Sequence, residues 1–478
     1  MRTTRRGALA LAAAAGAWGL AACSAATRGA TAAGGSGSAA PSTATNKIKL
    51  AFEPLNAGLW SGQGSKLVAD ALWQTLEPWR QANPSVDLTM LPFGGDTDTT
   101  EILTGTAPDV ILAWQDFGAL SGQDLLLNLT PYLRAANRTL SVWPSYAIDA
   151  YQVGGNTYAL PFYVATTSMV VNEAVLDGLG LSYPAEDATF ADWTRLWSSA
   201  TVKGTKPRYG GTIKQTECGL PQAYFQGWGG SIMDSADPTR CTIDAPAAVA
   251  TGNAIFPLIV EGICAWDYGN DVGGLLTAGT YATACMWNAA LAITTLDVQL
   301  ARLPKWNFYP MPVLPQGAFA STQYDFRAIS ATTPQPAAAY SLLDWLSFEP
   351  DFQRALMRLG LEPPALTSLQ EEYTTVLATI VPPFKSKNLS VLTQYIQNNG
   401  AIMDPIFPYD EPQAQALLLS SEQKIATGAV GVTVGLQQLA QQVSAMEAAG
   451  KATTANQQSA QSRFPVRGAD IATLGTGI

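Results

Sequence analysis

Lys47-Ile48-Lys49-Leu50-Ala51-Phe52 alternates apolar with polar or small side chains, the period of a strand with one buried face. From Ser65 the period changes: Leu67, Val68, Ala71, Leu72, Leu76 and Trp79 fall on one face of a helix, and Asn83-Pro84 stops it. Val86, Leu88 and Met90 then alternate again. Strand, helix, strand is a βαβ unit, so the spacing predicts an α/β fold with a parallel sheet. A third passage ends in Pro108-Asp109-Val110-Ile111-Leu112. Later stretches read as helical: Ala247 to Glu261, Pro336 to Leu359 and Ala414 to Met446. The polar stretch from about Gly450, with Gln457, Gln458 and Gln461, reads as loose or draped on the surface.

Upstream of this ordered body the chain carries an address. Arg2, Arg5 and Arg6 precede an apolar run from Ala8 to Ala22, which is shorter than the ~20 residues a spanning helix needs. The run ends in Leu20-Ala21-Ala22-Cys23, which resembles the lipobox of bacterial lipoproteins, cut before a cysteine that is acylated. Residues 1–22 are therefore expected to be a signal peptide and Cys23 the lipidated mature N-terminus. Thr4-Arg5-Arg6 also resembles a twin-arginine export signal, with Ala8 where Phe is usual. Residues 23–46 are Ala, Gly, Ser and Thr in the main and read as a flexible tether.

Composition narrows the chemistry. With 478 residues the chain exceeds one ordinary domain, and two lobes are expected. Its net charge is −10, and loss of the three signal arginines takes it to −13. So acidic a surface excludes nucleic acid, whose binding needs Lys and Arg to neutralise phosphates, and a basic patch for anionic lipid. The chain has no histidine, which removes Ser-His-Asp and Cys-His catalysis and any His-ligated zinc. Of the five cysteines, Cys23 is assigned to lipid. Cys218, Cys241, Cys264 and Cys285 are an even number in an exported chain and read as two disulfides, with local pairing, Cys218–Cys241 and Cys264–Cys285, favoured over the other two connectivities. Gly94-Gly95-Asp96-Thr97-Asp98-Thr99-Thr100-Glu101 lacks the glycine and distal glutamate of an EF-hand loop and reads as a helix start. No metal or cofactor is expected.

Several segments in order resemble the extracellular solute-binding proteins of ABC importers, in the group of maltose-binding-protein-like sugar binders. Gly105-Thr106-Ala107-Pro108-Asp109-Val110-Ile111 is similar to that family's turn before a Pro-Asp strand. Gly155-Asn156-Thr157-Tyr158-Ala159-Leu160-Pro161 resembles its crossing into a second lobe. Val171-Asn172, Leu176 to Leu181, Phe190-Ala191-Asp192-Trp193, Gly229-Gly230, Ala278 to Trp287 and Tyr340 to Pro364 follow in the family's order, with Val171 and Phe190 where Tyr and Trp are usual. The resemblance implies a two-lobed periplasmic-binding-protein-like fold, each lobe a mainly parallel sheet flanked by helices, with the ligand cleft between lobes. It implies lobe 1 at 47–160 plus 318–365 and lobe 2 at 161–317 plus 366–478, hinged closure, a monomer, no catalysis, and delivery of a small molecule to ABC permease subunits in the membrane.

A sugar offers apolar C–H faces and a rim of hydroxyls, so its site wants flat aromatic rings with amides and carboxylates around them. Trp60 stands in a loop of small residues after the first strand, and Trp114 and Gln115 follow the Pro-Asp strand; loops at the carboxyl ends of parallel strands line the cleft of open α/β sheets. Trp228 lies among glycines, and Trp287 with Asn288 ends a strand. A buried core ring is the alternative for each tryptophan. Tyr163 lies just past the lobe crossing, Glu53 ends the first strand, and Tyr324 and Asp325 occupy the place where the family commonly has a glycine pair. Glu53, Tyr324 and Asp325 could equally be ordinary loop residues. Rival readings are a lipid-anchored glycoside hydrolase, which needs two carboxylates facing one bond, and a binder of a peptide, polyamine or metal chelate.

The anchor is the most direct of these expectations to check. Cys23→Ser should move the protein from the membrane to the soluble fraction, read by fractionation and by the mass of the mature N-terminus; unchanged retention and mass would contradict it.

Overall fold

The computed structural model describes residues 48–52, 70, 72–91, 99–113, 117–214, 220–267, 272–287, 303–360, 363–402, 407–409 and 411–461. Cys23, Glu53, Trp60, Gly94 to Asp98, Trp114, Gln115, Cys218 and Asn288 lie outside them. The opening strands form as their spacing predicts. β1 (Ile48–Phe52) pairs in parallel with β2 (Val86–Met90), Leu50 opposite Leu88, and with β3 (Val110–Ala113), Phe52 opposite Val110. Leu72, Leu76 and Trp79, from the intervening helical face, are buried against them.

A two-stranded hairpin, β4 (Gln152–Val153) with β5 (Asn156–Thr157), leads into β6 (Ala159–Val171). All thirteen residues of β6 are buried. It is followed by β7 (Gly211–Lys214), β8 (Cys264–Asp267), β9 (Thr283–Trp287), β10 (Asn307–Tyr309), β11 (Ala320–Ile329) and β12 (Gly400–Ile402). One sheet contains β2-β1-β3-β11, continued by β6 and β12. β6 then carries β9 on one side and β10 on the other. β7 pairs in parallel with β8, and the two residues just before β7 bond to the entry of β9, the Ala282 N–H donating to the Tyr209 carbonyl (3.0 Å) and the Thr283 N–H to that of Gly210 (3.1 Å). The two sheets are mixed rather than purely parallel. β6 and β11 are antiparallel to each other and to most of their neighbours because they carry the chain between the two halves.

Two cores follow from this layout. The first gathers the opening strands and their helices with Tyr324, Phe326, the helix Pro336–Phe348 and the segment from Ala365 to Ile396. The second gathers Met169 and Val171 with the helices Phe190–Ala200, Gln222–Gly227 and Pro246–Val260 and with Leu418, Leu436 and Val443 near the C-terminus. Alternation along β6 and β9 divides the second sheet's faces. Val170, Ala284 and Met286 face the first core and Met169, Val171 and Cys285 the second, as a period of two requires. Helix starts match local chemistry: Thr189 and Asp192 form a capping box for Phe190–Ala200.

Two expectations are corrected. Cys241, Cys264 and Cys285 are buried thiols outside any disulfide bond. Cys264 sits opposite Gly211 of β7, and β7 lies between it and the strand of Cys285. Two strand spacings are about 9–10 Å, beyond the ~7 Å between Cα atoms that a disulfide spans. Burial pushes the Cys241 thiol up to about 12, which keeps it protonated and unreactive. From Gly450 as far as Gln461 the chain is not loose: it continues the helix Val432–Gln461, in keeping with its Ala and Gln content, and the residues after Gln461 lie outside the described ones.

Candidate functional site

β6 changes partners in mid-strand. Thr166 is its last described residue paired to β11, opposite Thr322, and Thr167 is its first paired to β9, opposite Trp287. At such a changeover the backbone of the departing strand loses its ladder partner, and a buried peptide group without one costs about 1–3 kcal/mol. Two consecutive threonines supply the replacement. Thr166 Oγ1 donates to the Ser321 carbonyl (3.1 Å), and Thr167 Oγ1 accepts from the Ser321 N–H (3.0 Å). Thr166, Thr167, Ser168, Ser321 and Thr322 are all buried. These hydroxyls were not among the expected site residues. Their signal is three hydroxyl side chains in a row, Thr166-Thr167-Ser168, inside an otherwise apolar strand.

The crossing also gathers three of the expected residues. Asp325 of β11 lies opposite Tyr163 of β6, and Trp287 lies opposite Thr167 four residues further along β6. At ~3.3 Å per residue the two positions are about 13 Å apart. Between Pro161 and Tyr163 the register slips, so that Phe162 is an extra residue in β6 opposite the Asp325–Phe326 step. Pro161 has no N–H to give the ladder, and a bulge there turns the strand more sharply.

Trp287 is partly buried, resting on the second core at the carboxyl end of β9. Trp228 is also partly buried. It caps the helix Gln222–Gly227, and its ring stands edge-on to Phe190 at 5.0 Å, which joins it to the second core. Tyr163 and Tyr324 are buried, 4% and 1% exposed, so both rings lie within the structure rather than on a free surface. Tyr324 meets Tyr146 edge-on at 6.3 Å, and burial raises its hydroxyl well above the ordinary tyrosine range, so it is neutral and uncharged at any physiological pH. Asp325 is taken up by an ion pair with Arg327, itself 1% exposed, whose guanidinium also lies 5.3 Å from the Phe162 ring centre. The carboxylate thus already has a charge partner inside the crossing.

The other buried carboxylates are likewise engaged in holding structure. Glu173 accepts from the Tyr309 hydroxyl (2.7 Å), Glu422 from the Leu220 N–H (2.6 Å) and Glu447 from the Tyr409 N–H (3.0 Å). Glu411 accepts from the Phe407 N–H and from Gln415 Nε2 (2.6 Å). Burial lifts Glu422 to about 8, so it is largely protonated at neutral pH. Among the described residues no group of three or more His, Cys, Asp or Glu is placed to hold a metal, and no helix is long and apolar enough to cross a membrane.

Comparison with known proteins agrees with this architecture. Residues 80–379, more than half of the chain, match the family of bacterial extracellular solute-binding proteins, and the chain belongs to that family. The family is extracellular, which places the folded body outside the cytoplasm. Similar solved structures include an ABC substrate-binding protein from Listeria monocytogenes in complex with cycloalternan, at 18% identity, TM-score 0.64, covering 83% of this chain and 98% of that one. The sugar-binding protein MalE of Xanthomonas citri is similar at 16% identity, TM-score 0.64, covering 84% and 98%. A sugar transporter from Rhizobium etli in an open conformation is similar at 16% identity, TM-score 0.65, covering 83% and 99%. Among curated proteins none matches the sequence. These likenesses define the two-lobed periplasmic-binding-protein fold.

The ion pair in β11 generates a test. Removing one partner of a buried pair costs about 3–5 kcal/mol, because the other charge stays buried. Asp325→Ala should lower the stability of the unliganded protein by that order in urea unfolding, and replacing both residues, Asp325→Leu with Arg327→Met, should recover much of it. A stable Asp325→Ala protein would show that the carboxylate is held for some purpose other than Arg327.

Proposed function

We propose that the chain is the lipid-anchored substrate-binding subunit of an ABC importer, which captures a carbohydrate between two lobes and delivers it to permease subunits in the membrane. The observation that carries this reading is β6, one buried strand shared by two sheets, with Tyr163 toward one half and Trp287 toward the other. A strand shared in this way lets two bodies turn about a few residues while every ladder bond is kept, the design of a hinge. Lobe 1 would comprise 47–160 plus 318–365 and lobe 2 161–317 plus 366–478. The Listeria, Xanthomonas and Rhizobium neighbours, described as binding cycloalternan or as sugar-binding and sugar-transporting proteins, favour a carbohydrate over a peptide, polyamine or metal chelate.

In this reading Trp287 and Trp228 supply ring faces from lobe 2, and Glu53, Trp60, Trp114 and Gln115 approach from lobe 1, with Asn288 beside Trp287. Tyr163, Tyr324 and Asp325 sit beneath, in the crossing, and shape the floor. A neutral sugar has no charge to grip, so affinity must come from stacked ring faces and from hydrogen bonds that closure removes from competition with water. The protein acts as a monomer, held by the lipid on Cys23 through the tether 23–46, and performs no chemistry.

A thermal-shift panel that includes maltose, mannotriose and acarbose tests the ligand class. A ligand at ~100 times its dissociation constant stabilises by about 2.7 kcal/mol. Trp287→Ala should weaken the binding sugar by roughly 2–4 kcal/mol, the range for a hot-spot aromatic, and leave unliganded stability nearly unchanged. Loss of ~3–5 kcal/mol of unliganded stability, as for a core tryptophan, with affinity spared, would remove Trp287 from the site.

A further inference from the structure

The two cores also meet away from the crossing strands. The helix Phe117–Gly122 belongs to the first core through Phe117 and Leu120. The helix Val432–Gln461, from the second core, packs against it. Between them runs the segment Phe407-Pro408-Tyr409, with Phe407 wholly buried in the second core.

Both helices present a glycine to this segment. A Cβ on Gly118 would lie 2.6 Å from the Pro408 carbonyl carbon and 2.9 Å from its Cα, closer than real Cβ atoms come to backbone. A Cβ on Gly450 would lie 2.8 Å from the Tyr409 Cβ. Neither glycine is needed for backbone conformation, since neither has a positive φ. Each would be the better helix former as alanine. Close approach of another chain segment is what remains to explain them. The segment is held to the second core at both ends, the Phe407 N–H by Glu411 and the Tyr409 N–H by Glu447 at 3.0 Å. It therefore moves with that core, and its contact with Gly118 is one between the two bodies.

The contact is tied to the hinge. Phe117 packs on Tyr151 at 4.6 Å, and Tyr151 stacks on Phe326 at 3.5 Å and 16°; Phe326 follows Asp325 in β11 at the register slip. A chain of rings thus runs from beside Gly118 to the crossing strand.

We infer that Gly118 and the segment Phe407–Tyr409 form a latch that holds the two lobes in the arrangement seen here by backbone packing. The inference rests on the two-lobed, hinged reading above but not on the identity of the ligand. Packing of backbone on backbone carries no charge and has one good fit, so the latch is insensitive to salt and is lost when one methyl group is interposed.

The test is Gly118→Ala in the full-length chain, with Gly178→Ala as control, since a Cβ on Gly178 meets nothing within 4 Å. Small-angle scattering of the unliganded proteins should show a changed radius of gyration for Gly118→Ala relative to the wild type at low and high salt alike, with Gly178→Ala unchanged. A maltose or mannotriose probe that binds the wild type should bind Gly118→Ala with an altered apparent dissociation constant, about tenfold for a tenfold change in the binding-competent fraction. An unchanged radius of gyration overturns the latch. If the wild type binds neither sugar, the carbohydrate reading suffers while scattering still decides the latch. Should Gly118→Ala fail to fold, hydrogen exchange of the wild type in rising urea replaces it. Amides of residues 117–122 should lose protection together with those of Phe407 and Tyr409, below global unfolding; separate loss contradicts the inference.

Discussion

A strand that belongs to two sheets must keep its backbone groups satisfied at the residue where one partner leaves and the next arrives. β6 meets this constraint with side chains. Thr166 and Thr167 bond the carbonyl and the N–H of Ser321, the residue of β11 that would otherwise lose its ladder there. These bonds lie in the crossing and involve no residue of either core's helices, so the proposed hinge has its turning point at Thr166 and Thr167. The bulge at Phe162 and the missing N–H of Pro161 add local twist on one side of the changeover. On that side the ion pair of Asp325 and Arg327 fixes the partner strand. The two cores and the position of Trp287 are consequences of this one strand.

Much of this was legible in residues. The alternation of Ile48, Leu50 and Phe52 and of Val86, Leu88 and Met90 identified parallel β1 and β2, since period-two burial leaves an unambiguous mark on half-buried strands. Ala159-Leu160-Pro161 reads as a crossing through its resemblance to the family, and the long buried strand β6 starts at Ala159. Periodicity could not have found the length of β6, because a strand buried on both faces reads as a continuous run. Its hydroxyls look like ordinary polar residues until their partners 155 and 154 positions away are known.

The surroundings of the proposed site residues are set by the fold rather than by their neighbours in sequence. The place of Tyr324 and Asp325, where family members carry glycine, reads equally as the cleft and as a loop beside the hinge. Only the fold shows that Arg327, two residues on, accepts the charge of one, and that Tyr146 packs against the other. The cysteines show the same limit. Their even number in an exported chain suggested bridges, but strand order sets their spacing, and β7 stands between Cys264 and Cys285.

The shared strand is tested most directly at Ser321. Hydrogen exchange followed by NMR or mass spectrometry should place its amide among the slowly exchanging ones of the unliganded protein. Thr167→Val keeps the shape but removes the acceptor, so that amide should exchange roughly tenfold faster or more, in line with the ~1–3 kcal/mol cost of a buried N–H left without a partner, while amides of β1 and β2 stay as they were. A fast Ser321 amide in the wild type, or one indifferent to Thr167→Val, would contradict the account of Thr166 and Thr167 as the groups that satisfy the changeover in β6.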